Sequence, residues 1–131
     1  MLSLQEIMAA TGGRCENMRE LVFSGITTDS RVESRGELFV ALCGERFDGH
    51  AYCQMALEHG VAAVLVSKPV PELPAGTVVI TVEDTLLAYQ QIAHAYRMSN
   101  KNLKVVAVTG SNGKTSTKDM IAACLSTKFK V

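Results

Sequence analysis

Short apolar runs of strand length alternate along the chain with segments of helical spacing. Ser3 to Ala10, closed by the Gly12-Gly13 pair, predicts a short helix. Glu20 to Asp29 reads as extended structure around Leu21-Val22-Phe23 and Ile26-Thr27-Thr28, with Gly25 as a bulge or bend. Glu37 to Leu42 is mostly apolar between Gly36 and Gly44, the pattern of a strand buried on both faces. His50 to His59 has helical spacing (Tyr52, Met55, Ala56, Leu57) and ends at Gly60. Val61 to Val66 predicts a second buried strand, Pro69, Pro71 and Pro74 a surface loop, and Thr77 to Val82 a third strand. Asp84 is placed to cap a helix from Thr85 to about Met98, with Leu86, Leu87, Ile92, Ala93 and Tyr96 for its buried face.

The polar stretch Ser99-Asn100-Lys101-Asn102 predicts a linker. Beyond it, Val105 to Val108 predicts a strand and Thr115 to about Thr127 a helix, and Phe129-Lys130-Val131 reads as the opening of a further strand. Strands alternating with helices predict an α/β protein with a largely parallel sheet. A strand and helix at the C-terminal end with no sheet to join predict that the chain is a piece of something longer.

Composition narrows the class. At 131 residues the chain is one ordinary domain, or one small domain plus part of another. Hydrophobic residues make up 47% and charged residues 20%, which supplies a core and argues against disorder. The formal net charge of zero provides no global field toward nucleic acid or an anionic membrane, so any anionic ligand must be held by local groups. No apolar run is long enough to cross a bilayer, and the N-terminus has no secretory pattern. Cys15, Cys43, Cys53 and Cys124 form no C-x-x-C pair and predict buried free thiols rather than disulfides or a zinc site. Together these features predict a cytoplasmic globular protein.

The sharpest chemical signal is Gly110-Ser111-Asn112-Gly113-Lys114-Thr115-Ser116, set between a predicted strand and a predicted helix. Glycines let the backbone approach phosphate, and the helix start offers unpaired N–H groups and the positive end of its dipole. Lys114 is placed to reach the β/γ-phosphates of ATP, and the Thr115 hydroxyl to help ligate Mg²⁺. The loop is G-x-x-G-K-T, shorter than the general G-x-x-x-x-G-K-[ST]: Val108, not glycine, stands five residues before Gly113.

Val105 to Thr117 resembles the ATP-binding loop of the Mur ligases and their relatives, the folylpolyglutamate synthases. Ile26 to Arg31, Gly36 to Leu42 and Gly44-Glu45-Arg46-Phe47-Asp48-Gly49-His50 resemble the N-terminal UDP-sugar-binding domain of the Mur ligases, which folylpolyglutamate synthases lack. Within the family, the Gly44–His50 stretch is most similar to members that join D-alanyl-D-alanine to UDP-N-acetylmuramoyl-tripeptide. The alternatives are the preceding ligase, which adds diaminopimelate or lysine, and a non-catalytic UDP-sugar or nucleotide-binding module. The resemblance implies a UDP-muramoyl-peptide-binding domain over residues 1–100 and the truncated start of a central ATPase domain over 101–131. It also implies ATP and Mg²⁺ as cofactors, the tripeptide nucleotide and the dipeptide as partners, and no role for nucleic acid or membrane.

By the same resemblance, Gly110, Ser111, Asn112, Gly113, Lys114, Thr115 and Ser116 bind ATP, Lys114 acts in catalysis, and Thr115 ligates the metal. Thr28, Ser30, Arg31, Glu45, Arg46 and Phe47 bind the UDP-muramoyl substrate. For Arg31 the residues leave open a local salt bridge with Asp29. For Phe47 they leave open a place in the domain's own core, and for Arg46 a solvated charge. His50 reads as a capping residue near Asp48, His59 and His94 as surface or structural residues, and the methionines as core filler.

Overall fold

The structure is a computed structural model that describes residues 2–131. It divides into two compact units, Met1–Lys101 and Asn102–Val131.

The first unit begins with β1 (Leu2–Ser3), α1 (Leu4–Thr11) and β2 (Arg14–Glu16). A capping box starts α1: Ser3 N–H donates to Glu6 Oε2 at 2.7 Å, and Glu6 N–H donates to Ser3 Oγ at 3.2 Å. Gly12, in the left-handed conformation, ends it. There follow β3 (Val22–Phe23), β4 (Ile26–Thr27), β5 (Leu38–Val40), a 3-10 turn (Gly49–Tyr52), α2 (Cys53–Glu58), β6 (Ala63–Val66), β7 (Val78–Thr81) and α3 (Thr85–Ser99).

Strands β1 and β3 form a small antiparallel sheet; the other five lie in the order β2-β7-β6-β5-β4. Neighbours from β4 to β7 are parallel, and β2 closes the β7 edge antiparallel. The predicted mixed, largely parallel sheet is present. Alternate residues explain why β5 and β6 read as continuous apolar runs. Leu38, Val40, Ala63, Leu65, Val78 and Ile80 face α1 and α3 in one core, where Leu4, Ile7, Ala88 and Ile92 meet them. Phe39, Ala41, Val64 and Val66 face the other way, onto Cys53 and Ala56 of α2.

Several expectations change. The buried face of α3 is Thr85, Ala88 and Ile92, with Tyr89 half-buried, whereas Leu86 and Leu87 are about half exposed and Tyr96 is exposed. Asp84 Oδ1 accepts the Leu87 N–H at 2.9 Å and sets the helix start, which turns the 85/88/92 stripe inward. Of the described methionines only Met8 packs on the core; Met18, Met55, Met98 and Met120 are exposed. All four cysteines are free, but only Cys53 is buried; Cys15 is half-buried, and Cys43 and Cys124 are exposed.

The second unit contains α4 (Lys114–Ser126), which buries none of its residues; Ile121 and Ala122 are half-buried. The predicted strand at Val105–Val108 is absent, and so is the strand opening at Phe129–Val131. A strand is defined by its ladder partner, and among the described residues this unit offers none, which leaves Val105 and Val106 more than 60% exposed. Among the described residues, no helix is long and apolar enough to cross a membrane.

Candidate functional site

Two loops carry the predicted substrate-binding residues of the first unit, and both are anchored on the short helical segment Gly49–Glu58. The first follows β5. Cys43 and Asp48 pair as an isolated antiparallel bridge, and Gly44 N–H donates to the Phe47 carbonyl at 2.7 Å, so Gly44–Phe47 forms a tight exposed tip. Glu45 and Arg46 are solvent-facing on that tip. Phe47 is 49% exposed and stacks on Tyr52, with ring centroids 5.4 Å apart and planes 14° from parallel. The option that Phe47 fills the core is therefore excluded.

The second loop follows β4. Ser30 is buried, and its hydroxyl donates to Met55 Sδ at 3.7 Å. Its carbonyl accepts from His59 Nδ1 at 2.6 Å, and Ser34 N–H donates to the His59 carbonyl at 2.7 Å. Thr28 is exposed. Arg31 makes the local pair left open above: Nε and Nη2 reach the two oxygens of Asp29 at 2.8 and 2.7 Å, with the arginine side chain 81% exposed. That bidentate pair holds the Asp29 carboxyl well below the usual carboxylate range. Tyr52 under Phe47 and Met55 under Ser30 stand three positions apart, so one helical segment carries both loops.

Sequence patterning does not reveal the network behind the first loop. Asp48 Oδ1 accepts the His50 backbone N–H at 3.0 Å and the ring Nδ1 at 2.6 Å, while Oδ2 pairs with the Lys68 ammonium. Lys68 first, and then His50, hold the Asp48 carboxyl well below its ordinary range. His50 Nε2 accepts the Ser67 N–H at 2.9 Å. Ser67 lies 17 residues from His50 and Lys68 lies 20 residues from Asp48, so no local signal marks them. His50 thus does more than cap a turn. Hydrogen bonding to Asp48, with burial second, pushes the Cys43 thiol up; burial pushes Cys53 up to about 11.

Cys43, Asp48 and His50 bring their donor atoms within 4.8 Å of one another, the span of a metal site. The hydrogen bonds argue against that role. A backbone N–H can only donate, so Nε2 is the acceptor and Nδ1 carries the proton. A ring in that state donates to Asp48 and has no free lone pair for a cation at Nδ1. An apolar depression of about 270 Å³ lies elsewhere, between Phe23, Ile26, Tyr89 and Tyr96, and includes none of the predicted binding residues.

In the second unit, Gly113 occupies the N-cap of α4 at φ 74°, a left-handed conformation natural to glycine, with nothing within 4 Å of an added Cβ. No side chain caps the helix, so its first N–H groups are left for a ligand. Lys114 Nζ donates to the Gly110 carbonyl at 2.6 Å, which folds the ammonium back over the loop. Ser111, Asn112, Thr115 and Ser116 are all exposed around the helix start. An open left-handed glycine, an uncapped helix start and a lysine across the loop fit a phosphate group, and the Thr115 hydroxyl fits a metal bound to it.

Comparison with known proteins gives two family matches: "Mur ligase family, catalytic domain" over residues 22–97 and "Mur ligase middle domain" over 108–131. The chain is 50% identical over 112 residues to the UDP-N-acetylmuramoyl-tripeptide--D-alanyl-D-alanine ligase of Bacillus subtilis, covering 86% of this chain and 24% of that one. Its fold matches a crystal structure of MurF from Acinetobacter baumannii with a TM-score of 0.82 and 36% identity, covering 96% of this chain and 27% of that one. It also matches MurF ligase from Thermotoga maritima in complex with ADP, with a TM-score of 0.64 and 31% identity, covering 85% and 25%. The chain spans about a quarter of the length of these relatives.

Proposed function

The chain belongs to the Mur ligase family, and we propose that it is the nucleotide-sugar-binding end, with the first part of the ATP site, of a ligase that joins D-alanyl-D-alanine to UDP-N-acetylmuramoyl-tripeptide. In this reading residues 1–100 are the UDP-muramoyl-peptide-binding domain and residues 101–131 begin the central ATP-binding domain. The two family matches fall on either side of Ser99–Asn102 and support that division.

One observation carries the reading: within one family match, two loops rich in hydroxyl, cationic and aromatic groups share a single helical anchor. Arg31 and Arg46 suit the diphosphate, Thr28 and Ser30 supply hydroxyl and backbone groups for polar edges, and exposed Phe47 offers an apolar face. Glu45 accepts from ligand donors beside them. Gly110 to Ser116 cradle the phosphates of ATP, with Lys114 on the transferring phosphoryl group and Thr115 on Mg²⁺. In the proposed reaction the terminal carboxylate of the tripeptide takes the γ-phosphoryl group and ADP leaves; the dipeptide amine then attacks the acyl phosphate, phosphate leaves, the amine gives up its proton, and an amide bond remains. Local cations on exposed loops offset charge where the chain as a whole has none, which fits small anionic partners rather than nucleic acid or membrane. The setting is the cytoplasm, where ATP and nucleotide-linked precursors are available.

The identity of 50% to a dipeptide-adding ligase favours that specificity over the preceding step. A phosphate-release assay on the full-length ligase carrying this chain tests it, with each UDP-muramoyl peptide offered each amine. Turnover is expected with the tripeptide nucleotide and D-alanyl-D-alanine. Turnover only with the dipeptide nucleotide and a free amino acid would overturn the reading.

A further inference from the structure

The exposed tip Gly44–Phe47 has little of its own to hold it. It buries no side chain, and its one internal bond is Gly44 N–H to the Phe47 carbonyl. Beyond the stack of Phe47 on Tyr52, what fixes it is the residue that closes it. Asp48 is gripped at one oxygen by His50, through both backbone N–H and Nδ1, and by the Cys43 thiol at 3.2 Å. The other oxygen is held by Lys68, at the end of β6.

His50 is the strut of this arrangement. Its ring is only 5% exposed and runs from Asp48 to the backbone of Ser67, making a hydrogen bond at each nitrogen. Both bonds are directional and mutually dependent: the Ser67 N–H dictates the tautomer, and that tautomer supplies the proton that Asp48 accepts. The chain beyond Asp48 is equally confined, since a Cβ on Gly49 would lie 2.8 Å from the Leu42 carbonyl oxygen. The exit of the loop is thus pressed onto the end of β5, and its closing side chain is tied to the end of β6.

We propose that His50 is a positioning residue: acting through Asp48, it holds the Gly44–Phe47 tip in the form that presents Arg46 and Phe47 to the UDP-muramoyl ligand, without touching that ligand. This rests on the proposed substrate role of the loop. Lys68 belongs to the same device, holding the second Asp48 oxygen and keeping the carboxylate from competing with an anionic ligand.

The test uses the 131-residue chain, with UDP-N-acetylmuramoyl-tripeptide as probe. His50→Asn keeps a donor toward Asp48; His50→Phe keeps ring volume and removes both bonds. Hydrogen exchange of Gly44 N–H reports loop closure without ligand, and Val82 N–H, bonded to the Val66 carbonyl at 2.9 Å, reports the core. In His50→Phe, Gly44 exchange relative to Val82 is expected to rise about tenfold and ligand affinity to fall about tenfold, the scale of one lost hydrogen bond to a charged group. His50→Asn is expected to stay within about threefold of the parent chain on both measures. Unchanged Gly44 exchange, or faster exchange with unchanged affinity, would overturn the proposal. Should His50→Phe fail to fold, ¹⁵N NMR of the unaltered ring decides: a protonated Nδ1 with bare Nε2 supports it, and the reverse tautomer overturns it. Absence of ligand binding by the unaltered chain, with Gly44 still responding to His50→Phe, would overturn the substrate reading and leave His50 as the residue that positions the loop.

Discussion

His59 donates from Nδ1 to the carbonyl oxygen of Ser30 across 2.6 Å, fastening the loop after β4 to the end of α2. A carbonyl only accepts, so the ring must carry its proton on that nitrogen. His59→Ala removes the donor and leaves the carbonyl of buried Ser30 without this partner. We expect a stability loss of about 1 kcal/mol in urea unfolding, the net value of one such bond. His59→Asn, which keeps a donor near the same position, is expected to recover most of it.

Arg31 gives the opposite pattern. Its pair with Asp29 is largely exposed, and exposed pairs contribute about 0–1 kcal/mol. Arg31→Ala is therefore expected to leave the unfolding midpoint almost unchanged. If the guanidinium binds phosphate, affinity for UDP-N-acetylmuramoyl-tripeptide should fall about tenfold, as for loss of one charge-assisted contact. Equal affinity by calorimetry would remove Arg31 from the site.

Asp29 and Asp48 both have carboxyls held below their ordinary range by hydrogen-bonded partners that the fold holds in place, Arg31 for the first and Lys68 with His50 for the second. A depressed folded-state value means stability that is fully present above the unfolded value, about 3.9, and is lost as pH falls through and below it. Urea unfolding at a series of pH values should show the chain weakening steadily below about pH 4. Asp48→Asn should flatten that dependence, and an unflattened curve would remove Asp48 from the acid-sensitive set.

Much of this fold is legible because local signals and tertiary needs agree. Ser3, Glu6 and Gly12 spell out α1, and the apolar runs of β5 and β6 are continuous because both sheet faces are covered. Other parts are not legible, for physical reasons. Arg14-Cys15-Glu16 carries no strand pattern and becomes a strand through pairing with β7. The valines after Lys104 have strand composition but no partner among the described residues, so they form no strand. The residues of the two loops can be named from sequence, but not what positions them: Ser67, Lys68 and His59 join through contacts 17 to 29 residues apart.

Lys114 folds back onto the Gly110 carbonyl, so its ammonium already lies over the loop that would receive phosphate. In the proposed full-length ligase, Lys114→Ala should lower turnover about tenfold to a hundredfold, since a charge-assisted bond contributes about 1.5–3 kcal/mol and 1.4 kcal/mol is a factor of ten. Near-normal turnover in a steady-state assay would remove Lys114 from the phosphoryl site.

Together, the loops after β4 and β5 form the proposed binding site for the nucleotide-sugar ligand. Titrating the ¹⁵N-labelled chain with UDP-N-acetylmuramoyl-tripeptide while recording amide spectra tests it most directly. Saturable shifts are expected at Thr28 to Arg31 and at Glu45 to Phe47, with the amides of α4 and the Pro69–Pro74 loop unmoved. Shifts confined to the depression beside Tyr89 and Tyr96, or none at millimolar ligand, would contradict it.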